Sequence, residues 1–128
     1  MNAYQGGFEG LDVWKVSRQL RNLISKLVRK FPDHEKFSLS MQIKRSSRSV
    51  TANVAEGYGR YHFKETIQFF RHARGSLFET LDHLTTAHDD EYITSDEFCE
   101  AEVLYKRALM LINGYIAYLE KSLNQSRP

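Results

Sequence analysis

The stretch Gln42-Ile43-Lys44-Arg45-Ser46-Ser47-Arg48-Ser49-Val50-Thr51-Ala52-Asn53-Val54-Ala55-Glu56-Gly57-Tyr58-Gly59-Arg60 interleaves basic, small and apolar residues at helical spacing and closes on Gly-Tyr-Gly. Leu39, Ile43, Ser46, Val50 and Val54 fall on one stripe, with Ser47 beside it, as on a helix face turned to a core. Ser, Ala and Thr dominate the rest, and such small residues let a second helix approach closely. Ser38 is the expected N-cap. Gly57-Tyr58-Gly59 is the expected turn, because glycine tolerates the left-handed conformation of many helix ends. Asn53 and Glu56 flank the stripe and admit two readings. One is a buried polar network, costly unless fully hydrogen-bonded. The other is an exposed Glu56–Arg60 pair at i,i+4, worth ~0.3 kcal/mol.

Working outward, three more helices are predicted. Val13, Val16, Leu20, Leu23, Ile24, Leu27 and Phe31, widened by Trp14, form a stripe over about Leu11 to Lys30. Its other face carries Lys15, Arg18, Asn22, Ser25 and Arg29, with Arg21 and Lys26 beside it. Pro32 ends this helix by forcing the residue before it out of the helical region. Phe63, Ile67, Phe70, Leu77, Leu81 and Leu84 mark a third helix over about Phe63 to His88, widened by Phe69, Ala73 and Phe78. Within it Gly75-Ser76 costs roughly 1 kcal/mol relative to Ala at the glycine, which a close helix crossing there would offset. Thr94-Ser95-Asp96-Glu97 reads as a capping box, opening a fourth helix to about Leu123 on Phe98, Ala101, Leu104, Tyr105, Ala108, Leu111, Ile112, Tyr115 and Leu119. Four such helices with short connections predict an all-α, antiparallel up-down-up-down four-helix bundle. Residues 1–7 read as a flexible N-terminus, 8–123 as the bundle domain and 124–128 as a C-terminal tail.

The composition fits a single domain. With 128 residues and 41% of them apolar, the chain can bury a core without disulfide or metal. A lone cysteine, Cys99, forms no intrachain disulfide and fits a reducing compartment. No apolar run approaches ~18 residues, so no membrane span is expected. The first ten residues lack the pattern of a signal peptide, and a cytoplasmic protein is expected.

Catalytic chemistry is sparse. No Glu has a His three residues later, as the ligand pairs of di-iron bundles require, so no metal and no cofactor are expected. His34, His62, His72, His83 and His88 read as surface or boundary residues. Cys99 lies beside Glu97 and Glu100, whose charges oppose thiolate formation. No Gly-x-Ser-x-Gly elbow occurs, and Gly57-x-Gly59 lacks the rest of a phosphate loop. No catalytic residue is assigned, and the chain is read as non-enzymatic.

Charge is the functional signal. Residues 1–80 hold 14 Lys/Arg against 7 Asp/Glu, while residues 81–128 hold 4 against 9. That polarity suits an anionic partner, or copies meeting positive to negative face. Lys44, Arg45 and Arg48, followed by Arg60, Lys64, Arg71 and Arg74, are the candidate nucleic-acid contacts, since such arrays hold phosphates without reading sequence. Tyr58 and Tyr61 flank Arg60, ready to stack on unpaired bases. The alternative gives these arginines to subunit contacts, Arg45 first among them. The second and third predicted helices also carry more apolar surface than one core uses. Val54, Tyr58, Phe69 and Phe78 are therefore the expected interface between copies.

These segments resemble the bacterial four-helix-bundle proteins encoded by intervening sequences within 23S rRNA genes, a family that includes the accessory variability protein of diversity-generating retroelements. The resemblance runs over roughly residues 8 to 120. It rests on Phe8-Glu9-Gly10-Leu11-Asp12-Val13-Trp14-Lys15, Phe31-Pro32, Gln42-Ile43-Lys44-Arg45-Ser46, Asn53-Val54-Ala55-Glu56-Gly57-Tyr58-Gly59-Arg60 and Ala73-Arg74-Gly75-Ser76-Leu77-Phe78-Glu79. Ser46-Ser47 stand where Ala is usual, and Thr51 where Pro is common. The resemblance implies a homopentameric, barrel-like ring with a basic surface. In the retroelement branch it implies nucleic acid and a reverse transcriptase as partners. It supplies no catalytic residue.

Overall fold

The computed structural model describes residues 7–125. The expected flexible N-terminus, apart from Gly7, and the last three residues of the expected tail lie outside the described residues. Four helices dominate: α1 (Asp12–Val28), α2 (Leu39–Tyr58), α3 (Phe63–Asp89) and α4 (Ser95–Gln125). Single 3-10 turns at Phe8–Gly10 and Asp33–Glu35 precede α1 and α2, and no strand occurs among the described residues. The helices pack as a four-helix bundle around one core that includes Leu20, Ile24, Ile43, Val50, Phe70, Leu77, Leu84 and Ile112.

Helix ends follow local chemistry. The Thr94 hydroxyl accepts from the Glu97 N–H at 3.1 Å, and a Glu97 carboxylate oxygen accepts from the Thr94 N–H at 2.8 Å, the reciprocal pair of a capping box. Ser38 occupies the N-cap position of α2 but its side chain makes no capping bond. Glu35 does that work instead, accepting from the Leu39 N–H at 3.2 Å. α1 ends at Val28 in tighter i→i+3 bonds from Lys30 to Leu27 and from Phe31 to Val28, both 3.0 Å. α4 continues to Gln125, two residues past the predicted helix end.

Glycine use departs from expectation. Gly57 lies inside α2, and Gly59 has an ordinary right-handed φ of −79°, so no left-handed turn joins α2 to α3. Gly57 serves close approach: a Cβ there would lie 2.8 Å from Phe69 Cβ and 3.2 Å from Phe70 Cδ1. The expected crossing at Gly75 is absent, since a Cβ there meets nothing within 4 Å. The left-handed position is Glu91 instead, at φ 62°, where Tyr92 N–H reaches back to the Ala87 carbonyl at 2.8 Å to close α3.

Hydroxyls zip α2 to α3. The Thr80 hydroxyl lies 2.9 Å from Ser46 Oγ, and Ser76 donates to Ser49 Oγ at 2.9 Å. Asn53 joins this cluster through Ser49, donating to its carbonyl at 2.8 Å. Glu56 instead forms the exposed i,i+4 pair with Arg60, at 2.7 Å. Ser17 Oγ is buried in α1 without a partner.

One end of the bundle is tied by a polar latch. Tyr92 donates to Glu35 at 2.8 Å and stacks obliquely on Phe31, while Glu97 pairs with Lys30. The Tyr92 hydroxyl, then the Leu39 N–H, hold the Glu35 carboxyl below its ordinary value of 4.5. Lys30, then the Thr94 N–H, do the same for Glu97. Glu35 in turn pushes Tyr92 up to about 12. Depressed carboxyls add stability above their unfolded value and lose it as pH falls through the folded one. A raised tyrosine adds stability below 10 and loses it as pH climbs toward 12. Urea midpoints should therefore be level near neutrality and fall at both extremes, and Tyr92→Phe should weaken both falls, leaving an alkaline remainder from Tyr105 and Tyr115, which burial also raises. An unchanged profile in Tyr92→Phe would refute the latch.

Candidate nucleic-acid interface

Met41, Lys44, Arg45 and Arg48 stand at i, i+3, i+4 and i+7 on α2, so they share one face. That face spans ~10 Å along the helix. The preceding turn brings up Lys36 and Phe37. The six residues line an open groove of about 500 Å³. Its floor is apolar, with Phe37 76% and Met41 40% exposed. Lys36 Nζ lies 5.3 Å from the Phe37 ring centroid, a cation–π contact. No acid lines the groove, and Lys44, Arg45 and Arg48 make no ion pair with any described residue.

Three of the other four expected phosphate contacts have partners of their own. Arg60 is 2.7 Å from Glu56, 3.8 Å from Glu65 and 4.7 Å over the Phe69 ring. Arg71 bonds Glu120 at 3.0 Å, and Arg74 bonds the Asn113 side-chain carbonyl at 2.8 Å. Lys64 lines a separate groove of about 570 Å³ with Arg71 and Glu120, between α3 and α4. Of the seven cations only Arg60 and Arg71 pair with carboxylates, and the α2 trio is the group that stands together on one groove with no acid in its lining. On α1, Arg21 reaches Thr51 at 3.2 Å and Arg18 lies 5.6 Å over Trp14.

Residues 9–114 match the model of the family described as 23S rRNA-intervening sequence protein. The chain belongs to that family. A similar solved structure, at 1.70 Å, is described as a protein of unknown function from the S23 ribosomal protein family of Bacteroides thetaiotaomicron. It is 25% identical, covers 81% of this chain and 97% of its own, and has a TM-score of 0.75. No curated protein matches.

In this member of the 23S rRNA-intervening sequence family, the surface expected between copies needs correction. Val54 is fully buried in the chain's own core, because the turn of α2 that carries it faces inward. Phe69 is half-buried, held under Arg60 and against Gly57. Tyr58 and Phe78 do stand out, 38% and 50% exposed. The larger apolar display is on α4, where Val103, Met110 and Tyr118 are each more than 60% exposed. Gly114 falls between Met110 and Tyr118, and there a groove of about 250 Å³ opens between α4 and the start of α1 over Leu11, Val13 and Leu111. Their spacing of 7 and 8 residues marks a second stripe on α4, legible in the sequence but masked by the stronger core pattern.

Among the described residues no group of three or more His, Cys, Asp or Glu is placed to hold a metal. Cys99 is exposed. No helix of the described residues is long and apolar enough to cross a membrane.

Proposed function

We propose that this chain is a non-enzymatic, cytoplasmic bundle of antiparallel up-down-up-down course that binds nucleic acid, RNA or DNA, with little sequence preference. The observation that carries this reading is the α2 groove: four cations, no acid, and an apolar floor. Bare positive charge beside an apolar surface suits a phosphate backbone better than a carboxylate-bearing small molecule, because phosphates recur along the ligand as the cations do along the helix. Self-assembly into a homopentameric ring is part of the reading and rests on the apolar display of α4, with Phe78 and Tyr58 adding area. Assembly and binding then use different faces. The satisfied partners of Arg60, Arg71 and Arg74 argue against their serving as subunit contacts. A ring with a basic groove on every subunit offers repeated weak sites along one strand, which suits an accessory to a reverse transcriptase or to an rRNA-linked element.

Fluorescence anisotropy of labelled RNA and DNA oligomers at several salt concentrations tests this. Binding should weaken steeply with salt, with a logarithmic slope of about −2 to −3 for each engaged groove on a single strand. Sequence changes in the oligomer should matter little. Absence of binding at low salt would refute the reading and leave an assembly module.

A further inference from the structure

We infer that the α2 groove takes an unpaired strand, with a base laid against Phe37 and the adjoining phosphates on Lys44, Arg45 and Arg48; this rests on the nucleic-acid binding proposed above. Two aromatic sites compete for the stacking role. The turn between α2 and α3 exposes Tyr61 at 96%, beside Tyr58 and Phe63. Its arginine, Arg60, is held by Glu56 and Glu65 and lies over Phe69, so the phosphates next to a base stacked there would meet a compensated charge. Phe37 stands in the opposite setting. Its neighbours are Lys36, Met41, Lys44, Arg45 and Arg48, and no carboxylate lines the groove with them.

The ring itself needs an occupant. An exposed phenylalanine at 76% gains little from water, and among the described residues its ring contact is the Lys36 ammonium at 5.3 Å. A base stacked on Phe37 offers a flat apolar face, and Met41 one turn further along extends the floor. From Met41 to Arg48 the cationic face runs ~10 Å, room for the phosphates of about two nucleotides. A duplex cannot use this floor, because its base faces are stacked on one another and only phosphates reach the surface. The groove therefore discriminates unpaired from paired nucleic acid by shape, without reading base identity.

The test is anisotropy with labelled oligouridylate 12-mers and with a blunt RNA duplex of equal length, on the unsubstituted chain, Phe37→Ala and Phe37→Tyr. Stacking on one aromatic ring predicts that Phe37→Ala weakens single-strand binding about 5- to 100-fold. Duplex binding should change less than about twofold. Phe37→Tyr should restore single-strand affinity, and an oligomer of abasic sites should bind the unsubstituted chain no better than the uridylate binds Phe37→Ala. Equal losses on strand and duplex, or no loss on either, would overturn the stacking role while leaving nucleic-acid binding intact. Failure of the unsubstituted chain to bind any oligomer at low salt would instead remove the underlying reading, and this inference with it. Phe37 is exposed, so the Ala variant should melt with the parent by circular dichroism; a fall in melting temperature would assign Phe37 to the fold and also overturn the inference.

Discussion

Replacing Lys44, Arg45 and Arg48 together by Glu is expected to weaken nucleic-acid binding about a thousandfold or more. Among the described residues none of the three pairs with a carboxylate, so each gives its whole charge to a phosphate. Losing one such contact removes ~1 kcal/mol, and reversing its sign adds repulsion of similar size. Three together should drive binding below detection at physiological salt. The matching control neutralises Arg71 and Arg74 with Gln. Because Glu120 and Asn113 already engage these two, affinity there should move less than about threefold. Mass by light scattering must be read beside affinity. The unsubstituted chain is expected near five times 15.0 kDa, and the α2 variant should keep that mass. Loss of the assembly in that variant would transfer the trio to subunit contacts. Equal losses in variant and control would spread the electrostatic footprint over the whole surface and remove the groove's special standing.

Much of the fold was legible because it rests on periodicity. The stripes of α1, α2 and α4 were written in residues three and four apart, and the Thr94–Glu97 box and Glu56–Arg60 pair lie within one turn. What could not be read depends on partners distant in sequence. Arg71 is compensated by Glu120, 49 positions away, and nothing local to Arg71 announces it. The same holds for the glycines. Gly57 and Gly75 both lie within helices, and only the position of α3 decides which one meets a neighbour. Val54 reads as surface from sequence because α2 is apolar or small on more than one side. The hydroxyl cluster of Ser46, Ser49, Ser76 and Thr80 absorbs that side into the α2–α3 contact. Phe37 falls between periodic segments, where patterns carry no information about exposure.

Gly57→Val is expected to destabilise the fold by about 3 kcal/mol or more, and Gly57→Ala by about 2. The new Cβ would sit 2.8 Å from Phe69 Cβ, an atom fixed to the backbone of α3 rather than at the end of a flexible side chain. The Phe70 ring cannot turn aside either. It is fully buried and stacks on Tyr115 at a centroid distance of 4.6 Å. Relief therefore requires α3 to move off α2, and that separation stretches the bonds joining Thr80 to Ser46 and Ser76 to Ser49. Losing these bonds between the helices adds to the cost of the clash, although Thr80 and Ser46 keep their bonds to the Ser76 and Ile43 carbonyls. Helix propensity works the other way, since Ala is favoured over Gly by ~1 kcal/mol in a helix interior. The steric and hydrogen-bond terms together exceed it. Gly75→Ala isolates the propensity term, because its Cβ would meet nothing within 4 Å, and it should stabilise by ~1 kcal/mol. Urea denaturation of the two Ala variants should thus shift in opposite directions. Equal shifts would mean that α2 and α3 do not meet at Gly57. The binding groove shares α2 with this contact, so Gly57→Val should also weaken nucleic-acid affinity in proportion to the fraction unfolded, and a fully folded variant should bind as the parent does.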